Sequence, residues 1–524
     1  MIVTRPDAII VGAGHNSLAC AVHLISKGWK VLIVEKAKIA GGAIKSGEFT
    51  DPGFIHDWAA MNLSLFAGSP FFNQYGDQLV ENGLNFVPVE NCFASVFPNG
   101  KWLGISNNFD HNFNRISRFS KNDADTWKKL TESFPEESSH IFRLLGNSLS
   151  FRNISSLFFK LYRKKGFSGA LDFIRFLMAS PRNWLDENFE SEEVRATMAA
   201  WGMHLDFAPD TAGGALFPYL ESMANQSFGM VLGQGGADTI IKAMVKYISS
   251  NGGMIEYNSE VTEIIHDGAR AESVKLADGS IIPAKRCVIA NVAPSSLLKL
   301  TNGFKKFDYS NGLKKFKHAP GTMMIHLSMD DLPNWLADDK LKEFAYIHIA
   351  PSLDQMAKTY QQATEGLLPD LPVIVIGQPT TVDASRAPVG KHILWIQVRM
   401  VPGIIKGDGA NKIKDTEWEN AKEFYADRVL DIIEEFAPKT KEKVISRRIV
   451  SPIELQNDNP NLVFGDQICG SHHLTQHFIY RPLRGYTDGK TPISNLHLTG
   501  AAVWPGAGAG AGSGFLLGRK LAGN

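Results

Sequence analysis

The chain has 524 residues, more than one ordinary core holds, and predicts two structural units. Hydrophobic residues make up 44% and charged residues 21%, which excludes a disordered or fibrous chain and indicates a folded one. Formal net charge is zero, so no field draws the whole molecule to nucleic acid, and no nucleic-acid partner is expected.

Residues 7–36 read as strand, turn, helix, strand. Asp7-Ala-Ile-Ile-Val11 is β-rich, Gly12-Ala13-Gly14 turns, and Leu18, Val22 and Ile25 recur at helical spacing over 16–27. Gly28 stops that helix, and 30–35 is again β-rich with Val31, Ile33 and Val34. Over 93–105, Asn99-Gly100 between apolar runs predicts a hairpin. Residues 107–227 read as mostly helical. Within them, 152–165 mixes Ile154, Leu157, Phe158, Phe159 and Leu161 with Arg152, Lys160, Arg163, Lys164 and Lys165. Such a segment suits either a membrane surface or a helix with a solvated basic face. Gly233-Gln-Gly-Gly236 leads into a helix over 238–249. Three short strands follow, divided by Asp267-Gly268 and Asp278-Gly279, and then an apolar strand over 286–290. Strands are expected at 323–327 and 373–376. A helix over 417–435 has Trp418, Ala421, Phe424, Val429 and Ile432 on its apolar positions. The chain ends as a strand over 495–499, a glycine-rich loop and a short helix. No period of about 20–50 residues marks a repeat protein, and no low-complexity linker separates two halves. Interleaved domains are therefore expected. Segments 1–90, 228–300 and 480–524 would form a nucleotide-binding domain, and 91–227 with 301–479 a partly helical substrate domain.

Cys20, Cys92, Cys287 and Cys469 form no C-x-x-C pair, so buried, idle thiols are expected and no zinc or redox disulfide site. Ala8–Val11 runs straight into the glycine turn, leaving no room for a signal peptide. The longest uncharged stretch, 491–517, carries Pro492, Pro505 and many glycines, which disfavours a membrane span. A cytoplasmic location, with peripheral membrane contact as a variant, is the expectation.

The chemistry begins at the first turn. In Gly12-x-Gly14-x-x-Ser17 the first glycine permits a tight turn and the second lets main chain approach a pyrophosphate. Ser17, small but not glycine, stands where close helix packing is needed. The helix N-terminus would face the phosphates with its partial positive charge. Glu35 closes the next strand 23 residues after Gly12, the place of a carboxylate that grips ribose hydroxyls. Gly41-Gly42 offers unhindered main chain for a second phosphate or a ribityl chain. His15, Asn16, Lys36 and Ala43 flank these motifs and are counted with them as cofactor-binding candidates.

Val11-Gly-Ala-Gly-His-Asn-Ser17, Glu35 and Gly41-Gly42 resemble the opening of the phytoene dehydrogenase-like flavoproteins, the carotenoid desaturases and their relatives. The resemblance runs on through Gly233-Gln-Gly-Gly236, Glu260-Val261, Leu276-Ala-Asp-Gly279 and His348-Ile-Ala-Pro-Ser352. It continues in Gly470-Ser-His-His473, Leu498-Thr-Gly500 and Trp504-Pro-Gly506, and is weaker over 120–225. It implies an α/β fold: a discontinuous Rossmann-type FAD-binding domain of the glutathione-reductase/amine-oxidase kind, with an α+β substrate domain. It implies non-covalent FAD, with Val261 meeting the adenine through its backbone, Gly500 and Ala501 by the phosphates and ribityl, and Ala60 and Met61 near the flavin ring. Ser17 and Trp504 depart from the family pattern, the latter where many relatives carry His.

The loop over 506–514 leaves few side chains, so a flat ring can pack on main chain, and Gly510 and Gly512 are counted with the cofactor contacts. The helix after it would stabilise a reduced flavin through its N-terminus. No second nucleotide fingerprint with its βαβ context is present, so NAD(P) is not expected. Oxygen, a quinone or another carrier is the expected electron acceptor. His472, His473 and His477 lack a third ligand with fixed geometry, and no metal is expected. His473, Tyr480 and His204 are the candidates for proton transfer, against a structural role for each. The leading expectation is a dehydrogenase or desaturase acting on an apolar or amphipathic small molecule. A redox-neutral flavin isomerase, an FAD amine oxidase and a non-catalytic flavoprotein stand as alternatives.

Overall fold

The computed structural model describes residues 5–523. Two apolar runs near the start, Ala8–Val11 and Val31–Val34, are buried on both faces, as strands in the middle of a parallel sheet must be. That sheet has five strands in the order Leu496–Leu498, Cys287–Ala290, Ala8–Val11, Val31–Val34, Met254–Glu256, and every pairing in it is parallel. Its strands come from both ends and the middle of the chain.

Helix His15–Ser26 packs against this sheet, against Thr239–Ser250 and against the terminal helix Gly512–Ala522. The last approach is close enough that a Cβ at Gly514 would lie 1.8 Å from the Asn16 carbonyl oxygen. A Cβ at Gly518 would lie 3.1 Å from the His23 ring. Ser17, in the place of the third fingerprint glycine, is fully buried, with its Oγ accepting from Asn291 Nδ2 at 2.9 Å.

A second sheet of seven strands carries the other half of the molecule, in the order Val444–Val450, Gly321–Met329, His392–Val401, Val373–Gly377, Tyr346–Ile349, Asn91–Val96, Trp102–Ser106. The last two form the expected hairpin, with Asn99 and Gly100 both at positive φ, the conformation its tight turn demands. The stretch expected to be helical contains Phe109–Ser117, Lys121–Leu145, Phe151–Met178, Pro181–Asn188, Glu192–Ala199 and Leu216–Phe228. Ser120, Ser150, Ser180 and Ser191 each cap a helix by accepting a backbone N–H. An antiparallel sheet of Val261–His266, Ala271–Leu276 and Ile281–Pro283 matches the expected three strands.

Phe424 departs from the expected pattern. Helix Trp418–Phe436 turns it outward, 61% exposed, while Trp418, Ala421 and Val429 pack into the core. All four cysteines are free and buried.

One buried ionic cluster ties the two sheets' surroundings together. Arg386 donates from Nη1 to Asp57 at 2.5 Å, from Nε to Asp383 at 3.2 Å, and from Nη2 to the Gly233 carbonyl at 2.7 Å. Asp57 accepts from Ala237 N at 2.7 Å and Asp383 from Gly235 N at 2.7 Å. The Gly233-Gln-Gly-Gly236 motif is therefore the main-chain partner of this cluster. Removing one member strands a buried charge, so Arg386→Met is expected to lower unfolding free energy by about 3–5 kcal/mol in urea. Gly514→Ala should cost about 1–3 kcal/mol by forcing the two helices apart, measured in the same way.

Candidate functional site

The cleft lies at the carboxyl edge of the parallel sheet, where ligands bind in open α/β sheets. Gly12, at positive φ, donates its N–H to the Val34 carbonyl at 2.8 Å. Gly14 caps the first helix with no side-chain bond to that helix's free N–H groups. An uncapped N-terminus facing a cleft is an anion site. Glu35 lines the cleft and accepts from Ala13 N at 2.6 Å and Ala37 N at 2.8 Å. Its carboxylate therefore pins the turn to the end of the second strand. Gly41 donates to the Ala13 carbonyl at 2.9 Å, and a Cβ on Gly42 would meet the Gly14 Cα at 3.4 Å. The glycine pair lies directly against the first turn.

The opposite wall comes from the end of the chain. Gly500 has φ +106°, and a Cβ there would fall 2.2 Å from the Asn291 side-chain oxygen. Its N–H donates to Ser513 Oγ at 2.8 Å. His15 Nε2 bonds the Gly508 carbonyl at 3.1 Å, joining the first turn to the terminal loop, and burial pulls its pKa down to about 4. Asn291 donates from its backbone to Val11 O at 3.0 Å and from Nδ2 to Ser17 Oγ at 2.9 Å. Asn461 in turn donates to the Asn291 carbonyl at 3.1 Å.

Beyond the dinucleotide cradle the cleft widens into a chamber walled by Trp201, His204, Tyr346, Trp395, Arg399 and Glu221. Trp395 and Tyr346 meet edge to face at 5.8 Å. Glu221, on helix Leu216–Phe228, has no hydrogen-bond or ionic partner for its carboxyl among the described residues, and burial alone raises its pKa to about 7. His204 is held neutral, its pKa pushed well down by burial, by Arg399 and by His348.

Of the residues expected from sequence, Gly12, Gly14, His15, Asn16, Glu35 and Lys36 line this one cleft. So do Gly41, Gly42, Ala43, Ala60, Met61 and Gly500, with Ala501 and His204. Others do not. Ser17 is buried behind the turn. Val261 packs its side chain into the core of the parallel sheet, with Ile9, Leu32 and Val288. Gly510 and Gly512 lie past the lining part of the loop, which is 507–509, because Gly510 backs onto Leu65 and Gly512 already opens the helix.

Two proton-transfer candidates lie away from the cleft lining. Tyr480 sits in a short turn at the surface, 42% exposed, and forms no part of the cleft. His473 turns away to Asp206, with Nε2 2.9 Å from its carbonyl oxygen and 3.3 Å from its carboxylate. His472 and His477 meet in a tilted ring contact at 4.9 Å, away from His473's partners. Among the described residues no three His, Cys, Asp or Glu side chains are grouped to hold a metal.

Asn291, Asn461, Glu221 and Arg399 escaped the sequence reading. Asn291 alone had a signal: it directly follows a predicted strand, at the edge where such sheets bind ligands. The others become neighbours only through folding.

The uncapped helix, the side-chain-free cradle and the adjoining chamber fit a dinucleotide with a ring system at one end. The chain matches the flavin containing amine oxidoreductase family over residues 18–513. It is 26% identical over 542 residues to the rat (Rattus norvegicus) pyridine nucleotide-disulfide oxidoreductase domain-containing protein 2, spanning 96% of this chain and 90% of that one. A 4,4'-diapophytoene desaturase from a Methylomonas species is 23% identical over 95% of this chain and 91% of its own. The solved structure of an oxidoreductase from Methanosarcina mazei superposes with a TM-score of 0.62 at 18% identity, covering 98% of this chain and 99% of that one. The chain belongs to the flavin containing amine oxidoreductase family, and it is an FAD-dependent oxidoreductase with the mixed α/β architecture of that group.

Proposed function

We propose that this enzyme is a dehydrogenase or desaturase that takes a hydride and a proton from an apolar or amphipathic small molecule. Its electrons would pass to oxygen, a quinone or another carrier. The carrying observation is that one continuous cleft joins the glycine cradle to an aromatic chamber holding a carboxyl that titrates near neutrality. FAD, when bound, supplies the hydride-accepting ring. Segments 1–90, 228–300 and 480–524 would hold it, with 91–227 and 301–479 facing substrate.

The chain's own residues do the rest. The aromatic walls hold the substrate's apolar body and exclude water, so the reacting carbon is fixed rather than diffusing. Glu221 receives the proton. A carboxyl with a pKa near 7 is populated in both forms at neutral pH, which suits an acceptor that must also release what it takes. His204 is a poor acceptor, because the imidazolium would sit in a buried site beside Arg399. It shapes the chamber instead, its ring tilted against Trp201 at 4.8 Å.

Only ionised Glu221 accepts a proton, so kcat/KM is expected to rise with pH and level off above about 7. In Glu221→Gln the rate should fall by about a hundred- to ten-thousand-fold and lose that limb. Anaerobic flavin bleaching against pH measures both. A limb that persists unchanged in the variant would assign the proton elsewhere. Product mass separates dehydrogenation from redox-neutral isomerisation, which leaves it unchanged.

We also infer peripheral contact with a membrane in the cytoplasm. Segment Phe151–Met178, helical on either side of a break at Gly166, exposes Phe151, Phe159 and Tyr162 before the break and Phe167 after it, with exposed Arg152, Lys160 and Arg163. Lys164 and Lys165 of the same segment are engaged by Glu136 and Glu137 and add little to the basic face. No helix of the described residues is long and apolar enough to cross a membrane. Replacing Phe159 and Phe167 together by Glu should weaken flotation with anionic vesicles by about tenfold or more, while flavin content stays unchanged.

A further inference from the structure

Three arginines in this molecule are deeply buried near the cleft, and they differ in how the charge is met. Arg481 spends its guanidinium on main-chain carbonyls, those of Ser471, Gly470, Cys469 and Ala501. Arg386 is matched by Asp57 and Asp383. Arg399, 5% exposed and on the chamber wall, has no carboxylate within ion-pair distance among the described residues. Its side chain leans on neutral groups. Nη2 donates to the His204 carbonyl, and the remaining contacts, to Thr322, Gln397, Gln467 and the Met203 carbonyl, are long at 3.4–3.5 Å. Nε donates to nothing.

The surrounding groups tell the same way. Trp201 Nε1, Trp395 Nε1 and His204 Nε2 are buried in the same chamber wall, and none has a hydrogen-bond partner. Both indole nitrogens are obligate donors. Asp466 and Asp206 act on Arg399 only from beyond ion-pair distance. A buried cation with no carboxylate in direct contact, in a wall with unused indole donors, is costly to fold and is unsatisfied by a hydrocarbon. A ligand carrying negative charge and acceptor oxygens would complete it.

We propose that the chamber recognises a carboxylate, and that Arg399 is the residue that binds it. The substrate class is thereby narrowed from apolar or amphipathic to an amphipathic carboxylic acid: the aromatic walls take its body and Arg399 its head. This rests on the oxidoreductase reading of the same cleft. Glu221 does not neutralise Arg399, since no contact joins them, and it is left available for the reacting end of the molecule. Arg399 touches the ligand but not the transferred atoms, so its role is recognition.

The experiment uses the oxidised, FAD-loaded full chain and calorimetric titration with matched pairs, each a carboxylic acid and the alcohol of the same carbon skeleton. Decanoate with decanol, and phenylpropanoate with phenylpropanol, serve as probes. The expected result is that at least one acid binds about tenfold or more tightly than its alcohol. The preference should vanish in Arg399→Met and be partly restored in Arg399→Lys. If no acid outbinds its alcohol in the unaltered protein, or if the preference survives in Arg399→Met, the inference is wrong. The first criterion needs no variant, so a folding defect in Arg399→Met cannot shield the proposal. Binding is read without turnover; anaerobic reduction of flavin in the same samples tests the oxidoreductase reading separately. Acid preference without reduction keeps the recognition site and sinks the substrate assignment.

Discussion

Main chain meeting main chain at the edge of the parallel sheet is the constraint on which this structure depends. Three loops from distant parts of the chain converge there, after Val11, after Ala290 and after Leu498. They come together so closely that a single Cβ on Gly500 would collide with Asn291, and one on Gly514 with Asn16. Such an approach leaves N–H groups, rather than side chains, facing the cleft. That suits an anionic diphosphate, which needs donors and partial positive charge at short range. Asn291 organises the convergence, bonding both the Val11 carbonyl and Ser17, while Asn461 holds its own carbonyl.

The treatment of buried charge then separates architecture from chemistry. Around Arg386 every formal charge finds a partner and the carboxylates also satisfy loop amides, so the cluster fastens segments that are far apart in sequence. The chamber follows the opposite logic. Among the described residues Arg399 has no carboxylate in direct contact, the Glu221 carboxyl has no hydrogen-bond or ionic partner, and several ring nitrogens are unused. Folding alone gains little from such groups, since each loses water for incomplete compensation. Their concentration beside the cofactor cradle marks the place where a ligand completes the structure.

Much of the first half of the site could be read directly from the chain. The turn Gly12-Ala13-Gly14, the carboxylate of Glu35 and the pair Gly41-Gly42 lie within 31 residues, and local geometry dictates their contacts. The terminal loop was legible as main chain suited to a flat ring, though its lining part is 507–509 rather than Gly510 and Gly512. The proton-transfer candidates were legible only in part: His204 lines the chamber, while His473 bonds Asp206 and Tyr480 faces solvent.

The sequence by itself determined what short-range sterics control: the strand–turn–helix unit, the hairpin at Asn99-Gly100, the row of serine-capped helices and the carboxylate that closes the second strand. Only the tertiary structure decided the chamber. Glu221 comes from a helix, Arg399 from a strand of the other sheet and Trp201 from the turn between helices. Nothing in their spacing relates them, and the Glu221 carboxyl owes its raised pKa to burial, a property of the packed whole and not of any segment. The same reason governs Ser17: its hydroxyl finds a buried partner only in Asn291, nearly three hundred residues away in the chain.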